Sequence, residues 1–137
     1  MVAIMNKVLT FGVYDYFHLG HLRLFKQAKQ YGNYLIVALQ DNDYILKYKP
    51  GSKILYSTNE RIEIIKALRI VDEVIIYKYV NENILEQINF DILALGEDQT
   101  AQRFQDAADW CHKHNKKVVH LKRTPNIASS KIKEIFR

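Results

Sequence analysis

The segment Val8-Leu9-Thr10-Phe11-Gly12-Val13-Tyr14-Asp15-Tyr16-Phe17-His18-Leu19-Gly20-His21 decides how the whole chain is read. It opens on a short apolar run, Val8 to Phe11, of the kind that forms a strand buried on both faces of a parallel sheet. It closes where Leu22, Phe25 and Ala28 start to recur at three-residue steps, the spacing of an amphipathic helix. Strand, turn and helix follow one another with glycine at the turn, and that order is the opening unit of an α/β fold.

The same alternation continues outward from this unit. Tyr34–Leu39, Val74–Ile76, Ile92–Leu95 and Val118–Leu121 are further strand-like runs. Ile62, Ile65 and Leu68 mark a helix opened by the capping-box pattern Ser57-Thr58-Asn59-Glu60. Residues 81–88 and 101–114 predict two more helices, and 130–136 a short final one. The order predicts one α/β domain over residues 1–137, a five-stranded, mostly parallel sheet with helices on both faces and right-handed crossovers. Gln40 to Tyr56 breaks the rhythm: its periodicity is weak, Pro50-Gly51 reads as a turn, and Lys47, Lys49 and Lys53 fall inside it. A loop of this length in a compact domain is usually functional or mobile.

Composition narrows the function classes. The chain has 137 residues, which suits a single domain, and 48% of them are hydrophobic, which excludes a disordered chain. Cys111 is the sole cysteine, so no internal disulfide forms. No apolar run reaches the roughly 18 residues of a membrane span, and no secretory apolar region precedes the first strand. A cytoplasmic location is the expectation. The formal charge of +5 and a pI of about 9.2 favour an anionic partner. A nucleic-acid module would need a basic face interleaved with exposed aromatics. The nine tyrosines are scattered, and Lys113, Lys116, Lys117, Lys122 and Arg123 gather toward strand–helix junctions, so neither nucleic acid nor membrane is the expected partner.

Ligands of open α/β sheets bind outside the carboxyl ends of the strands, which directs attention to the residues that follow each one. After the first strand, His18 and His21 flank the start of a helix, where free N–H groups and the helix dipole suit phosphate. Imidazole donates to phosphate whether neutral or charged, and Gly20 would let a triphosphate come close to the backbone. The competing reading is a pair of helix-capping histidines; a zinc site is disfavoured because no acidic or cysteine ligand stands at a suitable spacing. After the fourth strand, Gly96-Glu97-Asp98-Gln99 offers carboxylates for a ribose, a magnesium ion or a cationic acceptor, or else an N-cap at Asp98. After the fifth, cations and hydroxyls meet from Lys122 to Lys133 at the start of the last helix, fit for phosphate oxygens or for ordinary capping by Ser129 or Ser130. Arg61 and Arg69, eight apart, are expected to share one face of the second helix. The absence of G-x-G-x-x-G after the first strand disfavours a dinucleotide-dependent dehydrogenase.

Together, the HxGH turn within Gly12–His21, Asn59-Glu60-Arg61, Arg69-Ile70-Val71-Asp72-Glu73-Val74 and the RTxxIxxxxI run from Arg123 to Ile132 resemble the cytidylyltransferase family, from Lys7 to Ile135. Among its members the chain is most similar to the small bacterial glycerol-3-phosphate enzymes. The resemblance implies a Rossmann-like domain, commonly homodimeric, that transfers a cytidylyl group from CTP with Mg²⁺. It gives catalytic roles to His18, His21, Lys47 and Arg123. It assigns nucleotide contacts to Thr10, Phe11, Gly12, Tyr14, Asp15, Gly20, Gly96, Asp98, Arg123, Thr124, Ile127, Ser129 and Ser130. Lys47, Lys49, Arg61 and Arg69 would face the phosphorylated acceptor. HxGH is also shared with adenylyltransferases, which stand as the alternative, whereas the C-terminal run favours CTP. The glycerol-3-phosphate enzymes typically carry tryptophan where Gln99 stands and an RTEGISTT run where this chain has Asn126 for glycine and Ala128 for the first serine. The loop bearing Lys47 is also a few residues longer. Glycerol-3-phosphate is the default acceptor, with glycerol-2-phosphate, another polyol phosphate or a phosphorylated amide as alternatives.

Overall fold

A computed structural model describes residues 5–123. Its elements run β1 (Lys7–Gly12), α1 (Leu19–Lys29), β2 (Tyr34–Gln40), α2 (Asn42–Tyr48), α3 (Thr58–Lys66), β3 (Glu73–Tyr77), α4 (Glu82–Gln87), β4 (Ile92–Gly96), α5 (Gln102–Lys113) and β5 (Lys117–Leu121). The five strands lie in the order β3-β2-β1-β4-β5, and every paired neighbour is parallel. The expectation of a mostly parallel sheet is thus met in its strongest form among the described residues.

Period-two alternation divides the core into two layers. Leu9, Phe11, Ile36, Ala38, Leu93 and Leu95 face α4 and α5, where Leu85, Phe104, Trp110 and Cys111 meet them. Val8, Leu35, Val37, Leu39, Ile92 and Ala94 face the other side, against Phe25 and Ala28 of α1 and Ile65 of α3. The central strands are therefore apolar on both faces, which is why their sequences read as unbroken hydrophobic runs.

Helix starts follow local chemistry. At α3 the capping box is formed as its sequence suggests: Ser57 Oγ accepts from Glu60 N at 3.1 Å, and Glu60 Oε1 accepts from Ser57 N at 2.9 Å. Asn81 caps α4, its Oδ1 accepting from Ile84 N at 3.0 Å. Two expectations need correction. The irregular stretch after β2 contains the helix α2, capped by Asp41, whose side chain accepts from Asp43 N at 3.1 Å. This helix has seven residues, buries Ile45 and leaves Leu46 and Tyr48 exposed, so its apolar residues show no periodic face. In addition, α3 ends at Lys66, so Arg69 lies in the turn beyond it and does not share a helix face with Arg61. The final helix expected at 130–136 lies outside the described residues.

Candidate active site

Going from β1 to its two neighbours, the chain leaves in opposite directions: β2 on one side, β4 on the other. This is the topological switch point, where an open parallel sheet leaves a crevice at its carboxyl edge. A cavity of about 320 Å³ occupies it, within the range of small-ligand sites. Its walls are Thr10 to Asp15 leaving β1, His21 and Leu24 of α1, Gly96 to Gln99 leaving β4, and Leu121 and Arg123 leaving β5.

The histidine turn meets one wall through His21, while His18 and Gly20 are not among the cleft's lining residues. His18 is the N-cap of α1, and its Nδ1 accepts from Gly20 N at 3.0 Å. His21 reaches back, its Nδ1 accepting from His18 N at 3.3 Å. The pair thus builds a capping box from two imidazoles, with the rings stacked at 3.9 Å between centroids. Capping, which stood as a rival to ligand binding in the sequence, uses Nδ1 and does not occupy Nε2 of either ring. With both Nδ1 atoms accepting backbone protons, each neutral ring carries its own proton on Nε2. Burial pushes His21 down from 6.5 to about 4, with the charge of His18 adding to the effect. His18 is lowered too, by burial and then by the Arg123 guanidinium. Two neutral Nε2–H donors therefore stand at the helix start at pH 7. Gly20 is buried and gives its N–H to His18, so in this arrangement it serves the cap.

Aromatic packing fixes the donors. Phe17 stacks on His21 at 5.5 Å, and Tyr14 meets the same ring edge-on at 5.3 Å. Tyr14 adopts φ 55°, folding its ring back over Gly12; a Cβ on Gly12 would lie 2.5 Å from Tyr14 Cζ. Glycine is required there by this close approach. The Tyr14 hydroxyl lies 3.2 Å from Thr10 Oγ1 and donates to Phe11 O at 3.3 Å, and burial raises its pKa to about 12, so it stays a phenol.

The opposite wall carries charge. Asp98 does not cap α5, whose N-cap is Ala101. Its carboxylate meets Arg123 at 3.3 Å, with side-chain exposures of 72% and 47%, so the pair contributes little stability and both groups stay accessible to a ligand. Gln27 of α1 pairs with the backbone of Lys122 in both directions, donating to its O and accepting from its N at 2.9 Å each. One helix thereby holds the histidines at its start and the approach to Arg123 two turns on.

The remaining candidates fall into three groups. Thr10, Phe11, Gly12, Tyr14, Asp15, Gly96, Asp98 and Arg123 all line the cleft. The carboxylate of Asp15, however, accepts from Leu55 N at 2.7 Å and Tyr56 N at 3.1 Å, stapling the segment before α3 to the exit of β1. Arg61 is fully buried rather than presented to an acceptor. Its guanidinium donates to Val13 O at 2.7 Å, to Gln40 O at 2.6 Å and to Asn42 Oδ1, tying together the exits of β1 and β2 and the start of α2. Burial lowers its pKa, opposed by the charges of Asp15 and Asp41. Arg69 is exposed and precedes β3, at the amino edge of the sheet, opposite the cleft. Lys47 and Lys49 are exposed at the end of α2 and are not among the cleft's lining residues; Lys47 Nζ lies 5.3 Å from the Tyr44 ring centroid and 5.7 Å from that of Tyr48. Thr124, Ile127, Ser129 and Ser130 lie outside the described residues. Sequence reasoning passed over Gln27, Phe17 and the amide of Gln99, whose roles depend on contacts between distant segments.

The arrangement defines a nucleotidyltransferase, and the chain belongs to the cytidylyltransferase-like family, whose profile matches residues 9–135. It is 36% identical over 133 residues to the glycerol-3-phosphate cytidylyltransferase of Bacillus subtilis, covering 95% of this chain and 96% of that one. It is also 41% identical over 95 residues to the FAD synthase of Thermococcus sibiricus, covering 68% of this chain and 64% of that protein. Among solved structures, a lipopolysaccharide core biosynthesis protein from Thermoplasma volcanium matches with a TM-score of 0.71 and 25% identity, covering 88% of this chain and 97% of that one.

Proposed function

We propose that the protein joins CTP to a small phosphate monoester, glycerol-3-phosphate first among the candidates, giving a CDP-linked product and pyrophosphate. The observation that carries this reading is the stacked pair of neutral Nε2–H donors at the start of α1, of which His21 lines the switch-point crevice together with Arg123. An acceptor phosphate oxygen attacks the α-phosphorus; a new P–O bond forms there while the α–β bridging P–O bond breaks and pyrophosphate leaves. A phosphate monoester has a second pKa near ~6, so at pH 7 the nucleophile is already largely ionised and needs no protein base. The site's work is alignment and stabilisation of charge building on the phosphates. His18 and His21 donate to phosphate oxygens without changing charge, and Arg123 supplies the fixed positive charge. Exposed carboxylates at the rim, Glu97 and Asp98, offer the hard oxygen ligands that suit the Mg²⁺ expected to arrive on the triphosphate. That ion would screen the phosphates and lower the cost of the leaving charge.

Lys47 and Lys49, at the end of α2, are our candidates for the acceptor's phosphate. We place the protein in the cytoplasm as a homodimer. No helix among the described residues is long and apolar enough to cross a membrane, and Cys111 is buried as a free thiol. Ile76 on the edge strand β3 and Tyr48 on α2 leave apolar surface exposed, as a subunit contact would use. Adenylyl transfer is the second reading, favoured by the likeness to FAD synthases. Incubation with CTP, Mg²⁺ and glycerol-3-phosphate should yield a CDP-linked product. A folded His21→Ala protein should lose roughly 10²-fold or more in turnover, the scale of a lost oxyanion donor. Near-normal turnover in that variant would remove the histidine pair from the mechanism.

A further inference from the structure

We propose that Gln99 is a positioning residue that sets the width of the nucleotide crevice; this rests on the nucleotidyl-transfer reading above. The sheet is unevenly laced. β1 pairs with β2 as far as Gly12↔Leu39, and β4 with β5 as far as Gly96↔Leu121. Across the switch point, however, β1 and β4 pair only at Val8↔Ile92 and Leu9↔Leu93. The ladder ends at Leu9 and Leu93, and beyond it Thr10 to Gly12 and Gly96 line the cleft.

Among the described residues, the Gln99 side chain bridges the two strands there. Gln99 Oε1 accepts from Gly96 N at 2.9 Å, and its Nε2 donates to Phe11 O at 2.6 Å. The amide replaces a missing ladder rung, using one acceptor and one donor on adjacent atoms. Carboxylate lacks the donor and an indole lacks the acceptor, so neither can make both bonds. His21 and Tyr14 stand on the β1 bank; Asp98 and Arg123 stand on the β4–β5 bank. Only a group spanning both banks, the nucleotide, feels their separation directly. Gln99 therefore acts on nucleotide binding more than on the acceptor.

The test measures CTP affinity directly, by calorimetry without turnover, alongside the Michaelis constants. In Gln99→Ala, the Kd and KM for CTP should rise roughly tenfold or more, as expected when part-buried Gly96 N loses its acceptor and Phe11 O the nearer of its two donors, while the acceptor KM stays within about twofold. Gln99→Glu keeps the Gly96 bond and sets an oxygen against Phe11 O; it should also weaken CTP binding and serves if the alanine variant does not fold. Unchanged CTP affinity in a folded variant would overturn the inference while leaving the function standing. An equal loss in every parameter together with a lowered melting temperature would reduce Gln99 to a structural role. Wild-type protein that binds no nucleotide would instead overturn the function on which the inference rests.

Discussion

The two histidines divide their nitrogens between the fold and the ligand we propose. Each Nδ1 completes the cap of α1, which leaves each Nε2–H for the proposed phosphate contact. Sequence showed the residues and their spacing but left capping and binding as rivals, because tautomers follow from hydrogen bonds that no motif displays. The lowered pKa values have a stability consequence. The unfolded histidines titrate near 6.5, whereas folded His21 resists protonation down to about 4. Below 6.5 the unfolded chain takes up protons that the fold refuses, so this contribution is complete above that pH and drains away between 6.5 and 4. Urea midpoints across this window should fall on acidification, and less steeply in His21→Ala. Arg61 teaches the opposite lesson. Its place in the Asn59-Glu60-Arg61 motif suggested a contact with the acceptor, yet its guanidinium is spent on three protein oxygens. Arg61→Ala should cost about 3 kcal/mol of stability, seen as a lowered melting temperature, because it empties a fully buried side-chain site and leaves part-buried acceptors without their donor. A stable variant with only a raised acceptor KM would restore the contact role.

At the scale of elements, α1 is the organising piece. His18 starts it, Phe25 and Ala28 anchor it to the sheet, and Gln27 clasps Lys122 beside Arg123. Loss of that clasp should loosen Arg123: Gln27→Ala is expected to lower kcat/KM about three- to tenfold with little change in melting temperature. An unaltered kcat/KM would mean that Arg123 is held by other contacts. The strands, α1, α3, α4 and α5 were legible because apolar side chains at their period pack against the core, Ile62 and Ile65 in α3 and Ile84 and Leu85 in α4 among them. By contrast, α2 buries Ile45 but leaves Leu46 and Tyr48 exposed, so its helix is dictated by the Asp41 cap and by Asn42, which donates to Tyr56 O and accepts from Arg61. Contacts of that kind join segments far apart in sequence and leave no periodic trace.

The whole molecule explains why residues so distant in sequence converge. A parallel sheet ordered β3-β2-β1-β4-β5 brings the exits of β1, β4 and β5 to one edge, and the opposite winding around β1 opens the crevice between them. The histidine turn, the Gly96–Gln99 segment and Arg123 were each recognisable by type, and the fold supplies their meeting place. The same topology places Arg69 at the far edge, a separation that no spacing along the chain reveals. The central claim is that this crevice transfers a nucleotidyl group from CTP to a phosphate monoester. Its most direct test is pyrophosphate release, with Mg²⁺ and either CTP or ATP, over a panel of glycerol-3-phosphate, glycerol-2-phosphate, other polyol phosphates, phosphorylated amides and flavin mononucleotide. Release should require both CTP and a phosphorylated acceptor, with kcat/KM for CTP well above that for ATP. Release from ATP alone among the nucleotides, or none from CTP with any acceptor, would contradict it.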